Sequence, residues 1–173
     1  MFRTMIAAGL FIGVGMRAAF AHVSLEAQEA PVDSTYKAIF RVPHGCDGKA
    51  TTAVRIKIPE GVIDVKPMPK AGWKLETVKG KYAKAYSLWG ETVSEGVTEV
   101  NWNGGNLPDE FYDEFVLRAR LTGDLPAGET LRFPVVQECE GGAAARWIEI
   151  PAAGQDEDAL EHPAPGLKLL PKK

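Results

Sequence analysis

Short runs of alternating apolar and polar residues recur along this chain, and they limit it to a β-rich fold. Alternation puts successive side chains on opposite faces of a strand, so each run can bury one face in a core. Turn-forming Gly, Pro and Asn residues separate the runs, and no segment has the apolar spacing of a convincing amphipathic helix. The strands predicted from this pattern are 22–27, 34–42, 51–58, 73–78, 83–89, 97–102, 114–121, 130–137 and 146–150. Short strands at roughly ten-residue spacing predict an all-β fold, an antiparallel β-sandwich.

Residues 1–21 have the pattern of an export signal. Arg3 supplies a positive start, residues 5–16 are mostly apolar, and Ala19-Phe20-Ala21 is a small-x-small cleavage sequence. The apolar run is shorter than the roughly 20 residues needed to span a bilayer. We predict a signal peptide that is cleaved after Ala21, which leaves a periplasmic or secreted protein that begins at His22 and has no membrane anchor.

The predicted mature chain divides near residue 151. Residues 22–151 contain all the predicted strands and form one domain, long enough for a real hydrophobic core. Within it, residues 107–115 are compatible with one helical turn. Residues 152–173 are rich in Ala, Pro and acidic residues and lack periodicity, so we predict a C-terminal coil that packs on or trails from the domain.

Charge and motif content exclude several classes of function. The formal net charge is −3, and no basic stripe is present, so nucleic acid is not expected as a partner. No serine lies in a nucleophile-elbow sequence, no glycine-rich phosphate loop follows a strand, and no His-x-x-x-His pair occurs. The acidic segment 109–114 lacks the alternating oxygen ligands and the loop glycine of a calcium loop, and is interpreted as a solvated turn.

The chain has two cysteines, Cys46 and Cys139. In an oxidising compartment two cysteines are expected to form a disulfide. The competing interpretation is a reduced pair of thiolates that binds Cu(I).

His22 is a candidate metal ligand because cleavage would free its α-amine. The amine and the imidazole Nδ1 belong to one residue, so together they can close a small chelate ring on one ion. Two nitrogens held in this way suit Cu(II), which prefers tetragonal N,O sites and forms the most stable divalent complexes. The alternative is that His22 is an ordinary surface residue at the cleavage site.

Five segments resemble the bacterial YcnI-like copper-binding domain. They are "HVSLE" (22–26), "YKAIFRVPHGC" (36–46), "TTAVRIKIPEGV" (51–62), "KPMPKAGWKLE" (66–76) and "FPVVQECEGGAAARWIEIP" (133–151). The resemblance implies a β-sandwich of the immunoglobulin or cupredoxin type that binds Cu(II) through one N-terminal histidine, a monohistidine brace. It implies that His22 is the N-terminal ligand and that Trp147 covers the metal. Simple core packing is the alternative role for Trp147.

The family's carboxylate near the copper has no direct match in this chain. An ungapped comparison puts Tyr36 at that position. Glu149, two residues beyond Trp147 on the same strand face, is the first candidate to replace it. Glu26 and Glu138 are the others, although Glu26 lies about 13 Å along the strand from His22.

His44 leaves further alternatives open. If the first two strands pair, the end of the second returns toward His22, and His44 could supply a second imidazole, as in copper oxygenases. Combined with Cys46 and Cys139, it could instead form a soft Cu(I) site. A loop residue beside the disulfide is the simplest interpretation.

The sequence therefore predicts an exported copper-binding protein that serves copper storage, delivery or scavenging, by coordination and ligand exchange rather than as an enzyme. A periplasmic copper chaperone is the partner that the resemblance implies. The alternatives are a copper-dependent oxidase or oxygenase that uses His22 and His44, and a metal-free β-sandwich binding module.

Overall fold

The computed structural model describes residues 22–173. The predicted signal peptide and its cleavage site lie outside these residues. The described chain contains twelve β-strands and two single-turn 3-10 segments, and no α-helix occurs in it. Accordingly, no helix within residues 22–173 has the length and apolar character needed to cross a membrane. The strands are β1 Ser24–Leu25, β2 Glu29–Pro31, β3 Ser34–Val42, β4 Thr51–Lys57, β5 Val62–Pro67, β6 Lys74–Leu88, β7 Glu91–Leu107, β8 Asp113–Leu121, β9 Thr130–Arg132, β10 Val135–Cys139, β11 Ala144–Trp147 and β12 Gly166–Leu170.

The strands form three sheets, which confirms the prediction of an all-β fold. One sheet has the order β1-β3-β8-β5, a second has the order β11-β10-β4-β7-β6, and a small third sheet has the order β2-β12-β9. All neighbours are antiparallel except β2 and β12. The four- and five-stranded sheets are the two layers of the sandwich.

Alternation along β3 shows why these residues form a sandwich. Tyr36, Ala38, Phe40 and Val42 are buried, and the residues between them are less buried or exposed. The strand pairs with β8 without interruption from Ser34↔Leu121 to Val42↔Asp113. One face of this pair therefore packs into the core. Each large apolar side chain that is fully buried there contributes about 1.5–3 kcal/mol to stability.

Aromatic side chains join the two layers. Trp102 on β7 and Phe115 on β8 are fully buried, and their ring centroids lie 5.6 Å apart. Because β7 and β8 belong to different sheets, this contact crosses the core. Edge-to-face packing of this kind is a favourable arrangement of two aromatic rings.

The prediction of coil for residues 152–173 is wrong for residues 166–170. This segment is β12, which pairs with β9 and β2 and buries Leu167 and Leu169. The two leucines alternate with Lys168, so the segment has a strand pattern that its charge and flanking prolines concealed. Between the domain and β12, the chain has one 3-10 turn at Glu157–Ala159 and otherwise runs as turns and coil.

The structure also differs from the predicted strand boundaries. The separate strands predicted at 73–78 and 83–89 form one 15-residue strand, β6, with a register shift between Lys81 and Tyr86. Strand β5 was not predicted, because an irregularity between Ile63 and Lys66 interrupts its alternation. The segment 107–115 has a single hydrogen-bonded turn, from Pro108 to Phe111, rather than a helix.

Cys46 and Cys139 form a disulfide, as the sequence predicted. The bond joins the loop after β3 to the end of β10 across 93 residues of chain. In the chain-entropy model a loop of that length gives about 4–5 kcal/mol of stabilisation. Because both thiols are consumed, the cysteines do not offer the thiolate pair that a soft Cu(I) site requires.

Candidate metal centre

His22 lies at one end of the four-stranded sheet. Strand β1 pairs with β3 through Ser24↔Arg41, so His22 comes just before the paired residues, beside the end of β3. The next residue, Val23, is buried in the core. His22 itself is half-buried, and its Nε2 is shielded from solvent.

The structure brings the His22 imidazole next to the Trp147 indole. The ring centroids are 5.7 Å apart, with an angle of 53° between the planes. Trp147 is the last residue of β11, where it pairs with Val135 of β10, and only 4% of it is exposed. Two segments that are 125 positions apart in sequence therefore meet at this end of the sandwich.

A buried glutamine holds the Trp147 ring in place. Gln137 Oε1 accepts a hydrogen bond from Trp147 Nε1 at 3.1 Å. Its Nε2 donates to the His44 carbonyl oxygen at 2.6 Å and to Thr51 Oγ1 at 2.7 Å. Gln137 is fully buried, so these bonds are made where water cannot replace them. The network was not predicted from the sequence, because a glutamine inside a strand carries no local signal for such a role.

A second histidine stacks on the same indole. The His162 ring lies 4.8 Å from the Trp147 ring, centroid to centroid, and nearly parallel to it at 20°. The backbone N–H of His162 donates to Glu149 Oε2 at 2.6 Å, and Glu149 N–H donates back to the His162 carbonyl oxygen at 3.1 Å. Trp147 therefore contacts an imidazole from each end of the chain.

A cavity of about 370 Å³ opens beside His22. Glu157 also lines this cavity, and no other carboxylate of the described residues does. Both Glu157 oxygens are bound by Arg132, Oε1 at 2.7 Å from Nη1 and Oε2 at 2.7 Å from Nη2. Arg132 Nη1 also donates to the Ala164 carbonyl oxygen at 2.9 Å, which ties the 157–165 segment to β9. Glu157 was not predicted as a site residue, because it lies in the tail that was expected to be coil.

The other predicted carboxylates do not share this cavity. Glu149 is exposed and engaged with the His162 backbone, because β11 ends at Trp147 and the expected alternation does not continue. Glu26 forms an ion pair with Arg41 at 2.9 Å on the exposed face of the sheet. Glu138 pairs with Arg55. It follows the buried Gln137 on β10, so it points away from the core.

Tyr36 and His44 also lie apart from the cavity. Tyr36 is buried in the core, and its hydroxyl donates to the Ala27 carbonyl oxygen at 2.6 Å. Burial raises the pKa of this hydroxyl. Its position on β3 is six residues, about 20 Å, from the strand end beside His22. The His44 ring hydrogen-bonds to the Gly45 carbonyl oxygen through Nδ1 at 2.6 Å, and the imidazole is not in the cavity lining.

The donor set at this end of the sandwich is small. Within residues 22–173, no three His, Cys, Asp or Glu side chains are grouped so as to hold a metal ion. The groups present are the His22 imidazole, the π-face of Trp147 and the Glu157 carboxylate, which would have to bind an ion while it is paired with Arg132. Such an arrangement can bind a cation firmly only with a further donor, and the α-amine that cleavage after Ala21 would release is one.

The fold is a β-sandwich of the immunoglobulin-like class. A solved structure from Nocardia farcinica, described as an uncharacterized protein with an immunoglobulin-like fold, is 29% identical, with a TM-score of 0.62. The match covers 86% of this chain and 98% of that chain. The chain belongs to the family described as a domain of unknown function, DUF1775, whose model matches residues 22–169. No curated protein matches it. The family match includes β12, in keeping with the pairing of that strand.

Proposed function

We propose that this protein is exported and binds one Cu(II) ion at the mature N-terminus, as cargo for storage, delivery or scavenging. The observation that carries the proposal is the contact between His22 and Trp147, 5.7 Å between ring centroids, beside a cavity that His22 and Glu157 line. The resemblance to the YcnI-like copper-binding domain supports the choice of metal.

The residues around His22 fit this role chemically. After cleavage, the α-amine and Nδ1 of His22 would provide two nitrogens in one chelate ring, an arrangement that suits Cu(II). Trp147 offers no lone pair, but its ring face attracts a cation and excludes water. We assign Glu157 as the carboxylate of the site, in place of Glu149, Glu26 and Glu138, because it alone of these four lines the cavity with His22.

A donor set of this size favours transfer over permanent storage. Few protein ligands leave coordination positions for water or for a ligand from a partner, so copper can be passed on by stepwise ligand exchange. A periplasmic copper chaperone is the partner we propose, and turnover chemistry is not part of the proposal.

Tryptophan fluorescence of the mature protein during titration with Cu(II) tests this function. We expect stoichiometric quenching that falls strongly in His22→Ala and Trp147→Phe, because Trp147 is the tryptophan in contact with His22. Glu157→Gln should weaken binding without abolishing it, since the two His22 nitrogens remain. His44→Ala is the matched control and should bind as the wild type does.

Two results would count against the proposal. Equal quenching in the wild type and in His22→Ala would place the ion elsewhere. A loss in His44→Ala as large as that in His22→Ala would favour the two-histidine site of an oxidase or oxygenase.

A further inference from the structure

A second cavity lies at the opposite end of the sandwich. It has a volume of about 310 Å³ and is formed where β3 begins, where β8 ends and where the β6–β7 hairpin turns. The nine residues of β3 separate this end of the sheet from His22, a distance of about 30 Å. Any ligand bound here is therefore independent of the proposed copper site.

Trp89 stands at the rim of this cavity in an unusual position. It is 71% exposed, more than any other large hydrophobic residue in the described chain. Trp89 and Gly90 form the two-residue turn between β6 and β7, and both have positive φ angles, 54° and 89°. Such a turn prefers Asn-Gly or Gly-Gly, so a bulky residue here costs conformational energy without gaining burial. An unfavourable backbone position that presents an aromatic ring to solvent suggests a binding role.

The Trp89 ring is supported from one side. The Arg120 guanidinium lies 5.1 Å from the ring centroid, a cation–π distance. Arg120 also pairs with Asp33, and Asp33 pairs in turn with Lys172. Since Arg120 occupies only one side and most of the ring is exposed, the other face is available as a flat apolar platform.

Thr122 lies beside this cavity, and its hydroxyl is buried beneath the lining rather than open to it. Thr122 is only 6% exposed, and its Oγ1 has no hydrogen-bond partner within residues 22–173. A buried polar group of this kind is destabilising unless something satisfies it. Ser87 and Asp124 contribute further polar groups to the same lining.

The charges around the cavity compensate one another. Asp33 is paired with Arg120 and Lys172, and Asp124 is paired with Lys84 at 3.1 Å. Neither a strong anion nor a strong cation is therefore favoured. The ligand that fits is neutral, carries several hydroxyl groups and has one apolar face.

We propose that this cavity binds a neutral saccharide unit. The C–H groups on one face of a pyranose ring would pack on Trp89, because an aromatic face is electron-rich and attracts polarised C–H groups. The hydroxyls at the sugar's edge would donate to Asp124 and exchange hydrogen bonds with Ser87. A cavity of this size lies at the lower end of the range for small-molecule sites and fits one sugar ring.

The test uses the mature protein, kept free of copper with a chelator, and three probes: maltotriose, cellotriose and the trimer of N-acetylglucosamine. We expect at least one probe to shift the indole N–H resonance of Trp89 and to bind with a dissociation constant near 1 mM, a range typical of weak ligands. Binding should be the same in His22→Ala, so a failure of the copper proposal would leave this result unchanged.

Two variants give the test its sharpest form. Trp89→Asn creates the preferred Asn-Gly turn, so it should fold with equal or higher stability and yet bind at least tenfold more weakly. Thr122→Val removes an unpartnered hydroxyl that is not open to the cavity, so stability should be maintained or rise and binding should stay as in the wild type. Phe111→Asn, at another exposed aromatic residue, is the control and should bind as the wild type does.

The proposal is overturned if none of the three probes shifts the Trp89 resonance at about 10 mM, well above the expected dissociation constant. It is also overturned if Trp89→Asn binds a probe as tightly as the wild type.

Discussion

Replacing Gln137 with Leu should destabilise the fold and loosen the candidate metal centre together. The substitution keeps the volume of a fully buried side chain but removes its amide. Three hydrogen bonds disappear: those with Trp147 Nε1, the His44 carbonyl oxygen and Thr51 Oγ1. Because Leu offers no replacement partner, each of the three groups loses a bond in the interior.

The size of the effect follows from these bonds. An unsatisfied buried group costs about 1–3 kcal/mol, and some of the three will recover partners by small shifts or by admitting water. The added apolar surface of Leu offsets part of the loss. We expect the free energy of unfolding to fall by about 3 kcal/mol, which is large beside the total stability of about 5–15 kcal/mol for a domain.

Urea denaturation of the oxidised mature protein measures this loss. Glu138→Leu, at the next residue on β10, is the matched control, because it removes only a half-exposed ion pair with Arg55 and should change stability by less than about 1 kcal/mol. Adding Trp147→Phe to Gln137→Leu should cost less than the sum of the single effects, since the indole N–H is then absent. A loss below about 1 kcal/mol in Gln137→Leu, or full additivity in the double variant, would refute the network.

Three further predictions concern stability. Leu167→Ala should lower the free energy of unfolding by about 2–5 kcal/mol by leaving a cavity under β12, as measured by urea denaturation; an unchanged midpoint would mean that β12 does not pack on the core. Replacing Cys46 and Cys139 by Ser should lower the free energy of unfolding by about 4–5 kcal/mol and lower the thermal midpoint. Addition of reductant should have no further effect on that variant. The hydrogen bond from Lys172 and the charge of Arg120 hold the pKa of Asp33 below its usual 3.8. Asp33→Asn should therefore be less stable than the wild type above about pH 4, and the difference should close as the pH falls through the lowered pKa. A difference in stability that persists in acid would contradict this.

The sandwich was predictable because most of its strands alternate regularly. Strand β3 has the predicted bounds 34–42, since every second residue from Tyr36 to Val42 is buried. Strand β5 was not predicted because its register is irregular after Ile63, and a period-two pattern of apolar residues is interrupted at such a site. Strand β12 has only five residues, and its parallel partner β2 is 135 positions away, so local sequence could not indicate what it pairs with.

The candidate metal centre was predictable only in part. His22 and Trp147 were found through their positions in recognisable segments, and the structure brings their rings together. The acid could not be found in the same way. Glu157 reaches the cavity because the chain after β11 folds back and Arg132 binds its carboxylate, which are contacts between distant residues. Glu149 was favoured on an alternation that ends with β11 at Trp147.

The most direct test of the central claim compares the mature protein with a version that carries one additional Gly before His22. Each is titrated with Cu(II), and the electron paramagnetic resonance spectrum is recorded. The extension converts the α-amine of His22 to an amide and leaves every side chain in place. The ring formed by that amine and Nδ1 is lost, and the Gly amine, the new amide and Nδ1 offer a different chelate. We predict one stoichiometric site with nitrogen coordination in the mature protein, and a site with a clearly different spectrum in the extended one. Identical spectra and equal affinity in the two proteins would contradict binding at the N-terminus.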